Sequence, residues 1–176
     1  MTTLDEWLPL VDIGGTTIGK ARRSEVHGNP DLLHPVVHCL VVNSRGSLLL
    51  QLRSMSKDVQ AGRWDTSVGG HVGLDESIEL ALLREIREEL GVRVNLLQTS
   101  FLYKYVMRSS IESELVHTYE MTHEGPFVPE PTEIDELRFW TTSEIEVARG
   151  TSIFTPNFED EFERYNNATR TGSLRS

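Results

Sequence analysis

The sequence predicts a single α/β domain in which a mixed sheet is covered by helices on both sides. Three observations predict it. Strand-like segments come first, one strongly patterned helix follows, and strands and helices then alternate to the end. The chain has 176 residues, enough for one buried core. Its 38% hydrophobic content and thirteen glycines are ordinary for a globular protein.

The elements follow from local pattern. Leu8–Ile13 and Thr17–Ala21, joined through Gly14-Gly15, read as a small hairpin. His34–Val42 and Ser47–Leu52 read as a second, with Asn43-Ser44-Arg45-Gly46 as its turn. Trp64–Val68 is a short strand that leads into a glycine loop, Val68–Gly73, and then into a helix, Asp75–Leu90. Asp75 is an acceptable N-cap, Leu82, Leu83, Ile86 and Leu90 form an apolar stripe, and Gly91 suits the left-handed residue that ends a helix. Val92–Arg108 and Glu114–His123 are expected to be long antiparallel strands turning near Ser109-Ser110. A proline-rich loop, Gly125–Pro131, precedes a strand at Ile134–Trp140, a helix at Ser143–Ala148 and a terminal helix at Pro156–Asn166. One domain is expected over residues 1–168, with 169–176 frayed.

Composition narrows the function. A formal charge of −10 argues against general nucleic-acid or anionic-membrane binding but leaves phosphorylated small molecules open. No apolar run reaches the ~18 residues of a membrane span, and MTTLDEWLPL lacks the features of a signal peptide. The single cysteine, Cys39, has no internal disulfide partner, so a reducing, cytoplasmic setting is expected. The N-terminal hairpin offers a surface for pairing with a second copy.

The most informative stretch is Arg84-Glu85-Ile86-Arg87-Glu88-Glu89. Glu85, Glu88 and Glu89 fall within an arc of about 100° on a helix. Like charges so placed oppose helix formation by roughly 0.2–0.5 kcal/mol per neighbouring pair, which calls for a cation between them. A hard divalent ion with oxygen ligands is the natural candidate. Such runs are more often simply solvated faces. The frame decides the matter: Gly70, Glu76, Arg84-Glu85, Glu88-Glu89 and Gly91 stand at the fixed positions of the Nudix signature. A chance match is on the order of one in a billion per starting position.

Other residues qualify for the site. Arg53 and Lys57, on the segment leading toward the glycine loop, suit a diphosphate clamp, arginine as a fork and lysine as a point charge. His71, within the glycine loop, has the best claim of the histidines to touch substrate or metal, whereas His117 and His123 are assigned no role. His34 and His38 share one strand face unless the strand is bulged. Glu133 or Glu136 is a candidate ligand or general base from outside the helix. Trp64, Tyr103, Tyr105 and Phe127 are candidates to contact the organic part of a substrate, or core residues.

The chain resembles the Nudix hydrolase family over the complete box from Gly70 to Val92. The resemblance implies an α/β/α sandwich and cleavage of a diphosphate linkage in a nucleoside diphosphate derivative or similar small-molecule diphosphate, with Mg²⁺ or Mn²⁺. It implies that Glu85, Glu88 and Glu89 are metal ligands, with a backbone carbonyl at Gly69 or Gly70. It also implies that Arg84 orients Glu85 and that Glu88 or an outside glutamate activates water. More narrowly, the segments around His27, His34, Arg53, Lys57 and Trp64–Val72 look like a bacterial subgroup related to isopentenyl-diphosphate isomerase. In those isomerases the histidines matching His27, His34 and His71 bind metal, and cations matching Arg53 and Lys57 hold the diphosphate. Their essential cysteine is replaced here by Gly69, and the box they carry in degenerate form is intact here. Hydrolysis is therefore expected ahead of isomerisation, with a non-catalytic diphosphate-binding module as a further alternative.

Overall fold

The computed structural model describes residues 5–172. Its strands are β1 (Trp7–Val11), β2 (Thr17–Arg22), β3 (Leu33–Val42), β4 (Leu48–Arg53), β5 (Trp64–Asp65), β6 (Val68–His71), β7 (Thr99–Arg108), β8 (Ser113–Thr122) and β9 (Ile134–Trp140). The helices are α1 (Arg23–Val26), α2 (Ile78–Leu90), α3 (Thr142–Ala148) and α4 (Pro156–Arg170). β1 and β2 form a separate hairpin, and the other seven strands form one mixed sheet. Within it β3 runs parallel to β8, while the remaining pairings are antiparallel.

β3 is apolar on both faces because it is central and covered twice. Val37, Cys39 and Val41 face α2, whose Ala81, Leu82, Ile86 and Leu90 are buried against them. Leu40 and Val42 face the other way, into a cluster with Phe158 and Phe162 of α4 and Ile145 of α3. The sheet is thus sandwiched between α2 and the C-terminal helices, an α/β/α arrangement.

The split in the sheet positions the site. β3 and β4 share the register pair Val42↔Leu48 and then part, with β6 lying along β3 and β5 along β4. Buried Ser67 spans the gap: its hydroxyl accepts from the Val41 amide and donates to the Leu49 carbonyl.

Several boundaries differ from the sequence expectation. Helix α2 starts at Ile78 under Ser77, whose Oγ accepts from Leu80 N at 3.2 Å. Asp75 adopts a left-handed φ of 64°, which Asp tolerates, and this turns the chain before the helix begins. The expected glycine loop is partly strand, since Gly69, Gly70 and His71 pair with His38, Val37 and Val36. The long strand expected from Val92 begins at Thr99, because Asn95 caps a 3₁₀ turn at Leu96–Gln98. α4 runs past Asn166 to Arg170, so Thr169 is helical; residues 173–176 lie outside the described residues. Leu83 is half-buried, and Ala81 takes its expected place in the apolar stripe. No helix among the described residues is long and apolar enough to cross a membrane.

Candidate metal and diphosphate site

A cleft of about 1020 Å³ opens at the split in the sheet. It gathers Arg53, Lys57, Gly69, Gly70, His71, Arg84, Glu85, Glu88, Glu89 and Glu133, residues drawn from four stretches of the chain.

Arg84 organises the helix side. Its Nε and Nη2 donate to Glu76 at 2.8 and 2.9 Å, Nη2 donates to the His71 carbonyl at 2.9 Å, and Nη1 donates to Glu85 at 2.6 Å and Glu88 at 3.3 Å. The cation standing between Glu85 and Glu88 is therefore this guanidinium. Glu76 also accepts from Gly73 N at 2.9 Å, which ties the turn to the helix. Arg84 holds the Glu76 carboxyl below its ordinary range.

Glu89 has no such partner. Its Oε2 accepts from Gln51 Nε2 at 3.0 Å and Gly69 N at 3.1 Å, both neutral donors. Burial first, then the neighbouring Glu85, pushes its pKa up to about 8, and burial also raises that of Glu85. A carboxylate enclosed without a counter-charge suits a bound cation.

Gly70 is required by contact. A Cβ built on it would stand 2.1 Å from the Glu85 carboxyl carbon. Opposite the helix, Arg53 donates to the Val59 carbonyl at 3.1 and 3.3 Å and to Asp65 at 3.4 Å, while Lys57 pairs with Glu133. Burial, then Arg53, lowers the Lys57 pKa. Glu136 does not line the cleft.

His27 and His71 border the cleft, and fully buried His34 lies behind them, the three with ligand nitrogens within 4.8 Å of one another. His34, Glu112 and Glu114 form a second such group. Among the described residues, the oxygens of Glu85, Glu88 and Glu89 do not all come within that distance of one another, with the Arg84 guanidinium bonded to both Glu85 and Glu88. Both ring nitrogens of fully buried His34 lack a hydrogen-bond partner, and burial lowers its pKa to about 4, leaving a neutral imidazole of the kind that ligates metal. The two groups share His34, one completed by imidazoles and one by carboxylates, and Glu89 on α2 adds an enclosed carboxylate without a counter-charge. Sequence reasoning missed Glu112 and Glu114, which reach His34 only through the β3–β8 pairing His34↔Glu114.

It also missed His38 as a cleft residue. β3 keeps regular register with β8, without a bulge, so His34 and His38 share a face. The His38 Nδ1 lies 2.7 Å from Glu161, and although burial opposes it, this carboxylate raises the His38 pKa to about 8. His117 and His123 lie outside the cleft, as do Trp64, Tyr103, Tyr105 and Phe127. Trp64 packs in the core, and both tyrosine hydroxyls donate to Glu161.

The cleft thus carries helix carboxylates on one side and the side chains of Arg53 and Lys57 on the other. The NUDIX domain family matches residues 32–159, and the chain belongs to that family. It is 35% identical over 133 residues to an isopentenyl-diphosphate Delta-isomerase of Paenarthrobacter aurescens, covering 73% of this chain and 72% of that protein. An uncharacterised Nudix hydrolase of Listeria innocua is 27% identical, with 88% and 90% covered. Among solved structures, the DR0079 protein of Deinococcus radiodurans superposes with a TM-score of 0.77 at 27% identity, covering 90% of this chain and 98% of that one.

Proposed function

We propose that this chain is a divalent-metal-dependent hydrolase that cleaves the diphosphate linkage of a small organic diphosphate by attack of water on phosphorus. The observation that carries the reading is the one cleft shared by Glu85, Glu88 and Glu89 with Arg53 and Lys57. Glu85, Glu88 and Glu89, with the backbone at Gly69, would hold Mg²⁺ or Mn²⁺. When bound, the ion supplies charge neutralisation on the diphosphate and acidifies a water. Arg84 fixes the direction of Glu85. Arg53 and Lys57 grip the diphosphate, and the backbone of Gly70 and the ring of His71 border it. Glu88, the most exposed of the three carboxylates, accepts the proton of the attacking water.

An isomerase is the second reading, favoured by the His27–His34–His71 cluster and the names of relatives. It requires an acid to protonate an alkene. Cys39 is fully buried on the α2 side of β3 with its pKa driven up by burial, and Gly69 offers no side chain. The deciding experiment measures phosphate release from a panel of organic diphosphates with Mg²⁺ and Mn²⁺ for the wild type and the Glu85→Gln and Glu89→Gln variants. Metal-dependent release lost in both variants is the expected result. Full turnover in the variants overturns the mechanism, and dimethylallyl product without phosphate release establishes the isomerase.

A further inference from the structure

The wall of the cleft carried by β3 presents Val36 and His38. His38 stands four residues beyond His34 on the same face, roughly 13 Å along a strand. Its ring is held by an uncommon anchor. Glu161 of α4 is fully buried, and besides the His38 Nδ1 it accepts from Tyr103 Oη at 2.6 Å, Tyr105 Oη at 2.7 Å and Thr118 Oγ1 at 3.0 Å. With Nδ1 committed to that carboxylate, Nε2 is the free ring nitrogen, and 12% of the side chain stays exposed. Gly69 keeps the approach clear, since a Cβ there would stand 3.3 Å from His38 Cδ2 and 3.5 Å from Nε2.

The cleft that His38 borders is largely polar. The same cleft is lined by Gln51, Asp65, Glu114, Thr155 and Asn157. Its apolar side chains are Val36, Val59, Met107 and Ile111, with no Phe, Tyr or Trp bordering it among the described residues. A hydrocarbon chain entering here would exchange water for polar groups that it cannot satisfy, and the only ring faces met by a nucleobase among the described lining residues are imidazoles, those of His27 and His71 already packed on one another with centroids 5.0 Å apart. Hydroxyl groups, which both donate and accept, match an imidazole nitrogen, carboxylates and amides.

We propose that the moiety attached to the diphosphate is a hydroxylated, non-aromatic group of sugar type, with His38 as its specificity-determining contact and Glu161 as the residue that positions His38. This rests on the hydrolase reading above. The test uses the full chain with Mg²⁺ and compares kcat/KM for ribose 5-diphosphate, isopentenyl diphosphate, methyl diphosphate and ADP. Ribose 5-diphosphate is expected to exceed isopentenyl and methyl diphosphate by tenfold or more, and the adenine of ADP to bring no gain. His38→Leu is expected to reduce kcat/KM for ribose 5-diphosphate about tenfold, chiefly through KM, with a smaller loss for methyl diphosphate. His38→Gln, which keeps a hydrogen-bonding group, restores part of the preference. Glu161→Gln, checked for native fold by circular dichroism, lowers the same preference. A preference for isopentenyl diphosphate or for ADP overturns the proposal, as does a His38→Leu enzyme with its sugar preference intact. Absence of metal-dependent turnover with every diphosphate overturns the hydrolase reading and this proposal with it.

Discussion

The carboxyl group of Glu85 rests directly on the backbone of Gly70, where a side chain would place its Cβ 2.2 Å from Glu85 Oε1. The first glycine of the box is thus a space for the helix carboxylate rather than a hinge. Gly70→Ala forces Glu85 away, and Arg84, bonded to the same carboxylate, must follow. We expect turnover to fall at least a hundredfold. The overpacking destabilises by about 1–3 kcal/mol. Steady-state kinetics beside a urea titration check both, and an alanine variant with wild-type kcat contradicts the assignment.

Arg84→Lys tests the hub. Lysine keeps the charge but cannot span Glu76, Glu85, Glu88 and the His71 carbonyl at once. A fall in kcat of a hundredfold or more is expected, with a weaker dependence of rate on Mg²⁺ as Glu85 loses its orientation. A metal titration of the variant is the measurement, and retention of both kcat and metal affinity would show that Arg84 serves only to join the turn to the helix.

How much of this was legible beforehand depended on sequence distance. The box residues lie within 22 positions of one another on one loop and one helix, so local spacing is enough to place Arg84, Glu85, Glu88 and Glu89 together on one helix, and all four border the cleft. Asp75 and Ser77 are both capping types two residues apart, and the left-handed turn at Asp75, invisible to propensity, decided between them. The His38–Glu161 pair joins positions 123 residues apart, and Glu114 reaches His34 through a parallel pairing that no local pattern encodes. The choice left open for the aromatic candidates, substrate contact or core, is illegible in the sequence for a related reason. Tyr103 and Tyr105 alternate correctly for one face of β7, but only the arrival of α4 shows that their hydroxyls end on Glu161.

Lys57 pairs with Glu133, so a diphosphate that engages Lys57 competes with that carboxylate. Glu133→Gln removes the competition. We expect KM to fall severalfold with kcat changed less than about threefold, while Lys57→Ala raises KM tenfold or more. Glu88→Gln, by contrast, should lower kcat by a factor in the range of about 10²–10⁴, the usual worth of a positioned base. If Glu133→Gln instead abolishes kcat and Glu88→Gln does not, the base is Glu133.

Glu89 links function to stability with a definite sign. Its pKa stands near 8 in the folded chain against an ordinary 4.5, so between these values the folded state holds a proton that the unfolded state has lost. The metal-free protein therefore loses stability as pH rises from about 4.5 through 8. At about 1.4 kcal/mol per tenfold change in proton affinity, the full effect has a ceiling of about 5 kcal/mol, reduced by water entering the open cleft. Glu89→Gln removes the ionisation while its carbonyl oxygen still accepts from Gln51 and Gly69, which share one oxygen in the native chain. In EDTA at pH 9 the variant should therefore melt above the wild type, and at pH 5 the two should nearly coincide. Adding Mn²⁺ at pH 9 should raise the wild-type melting temperature and narrow that gap, because the ion supplies the counter-charge that Glu89 lacks. A variant that melts below the wild type at pH 9 in EDTA would mean that the carboxylate already has its charge balanced without metal.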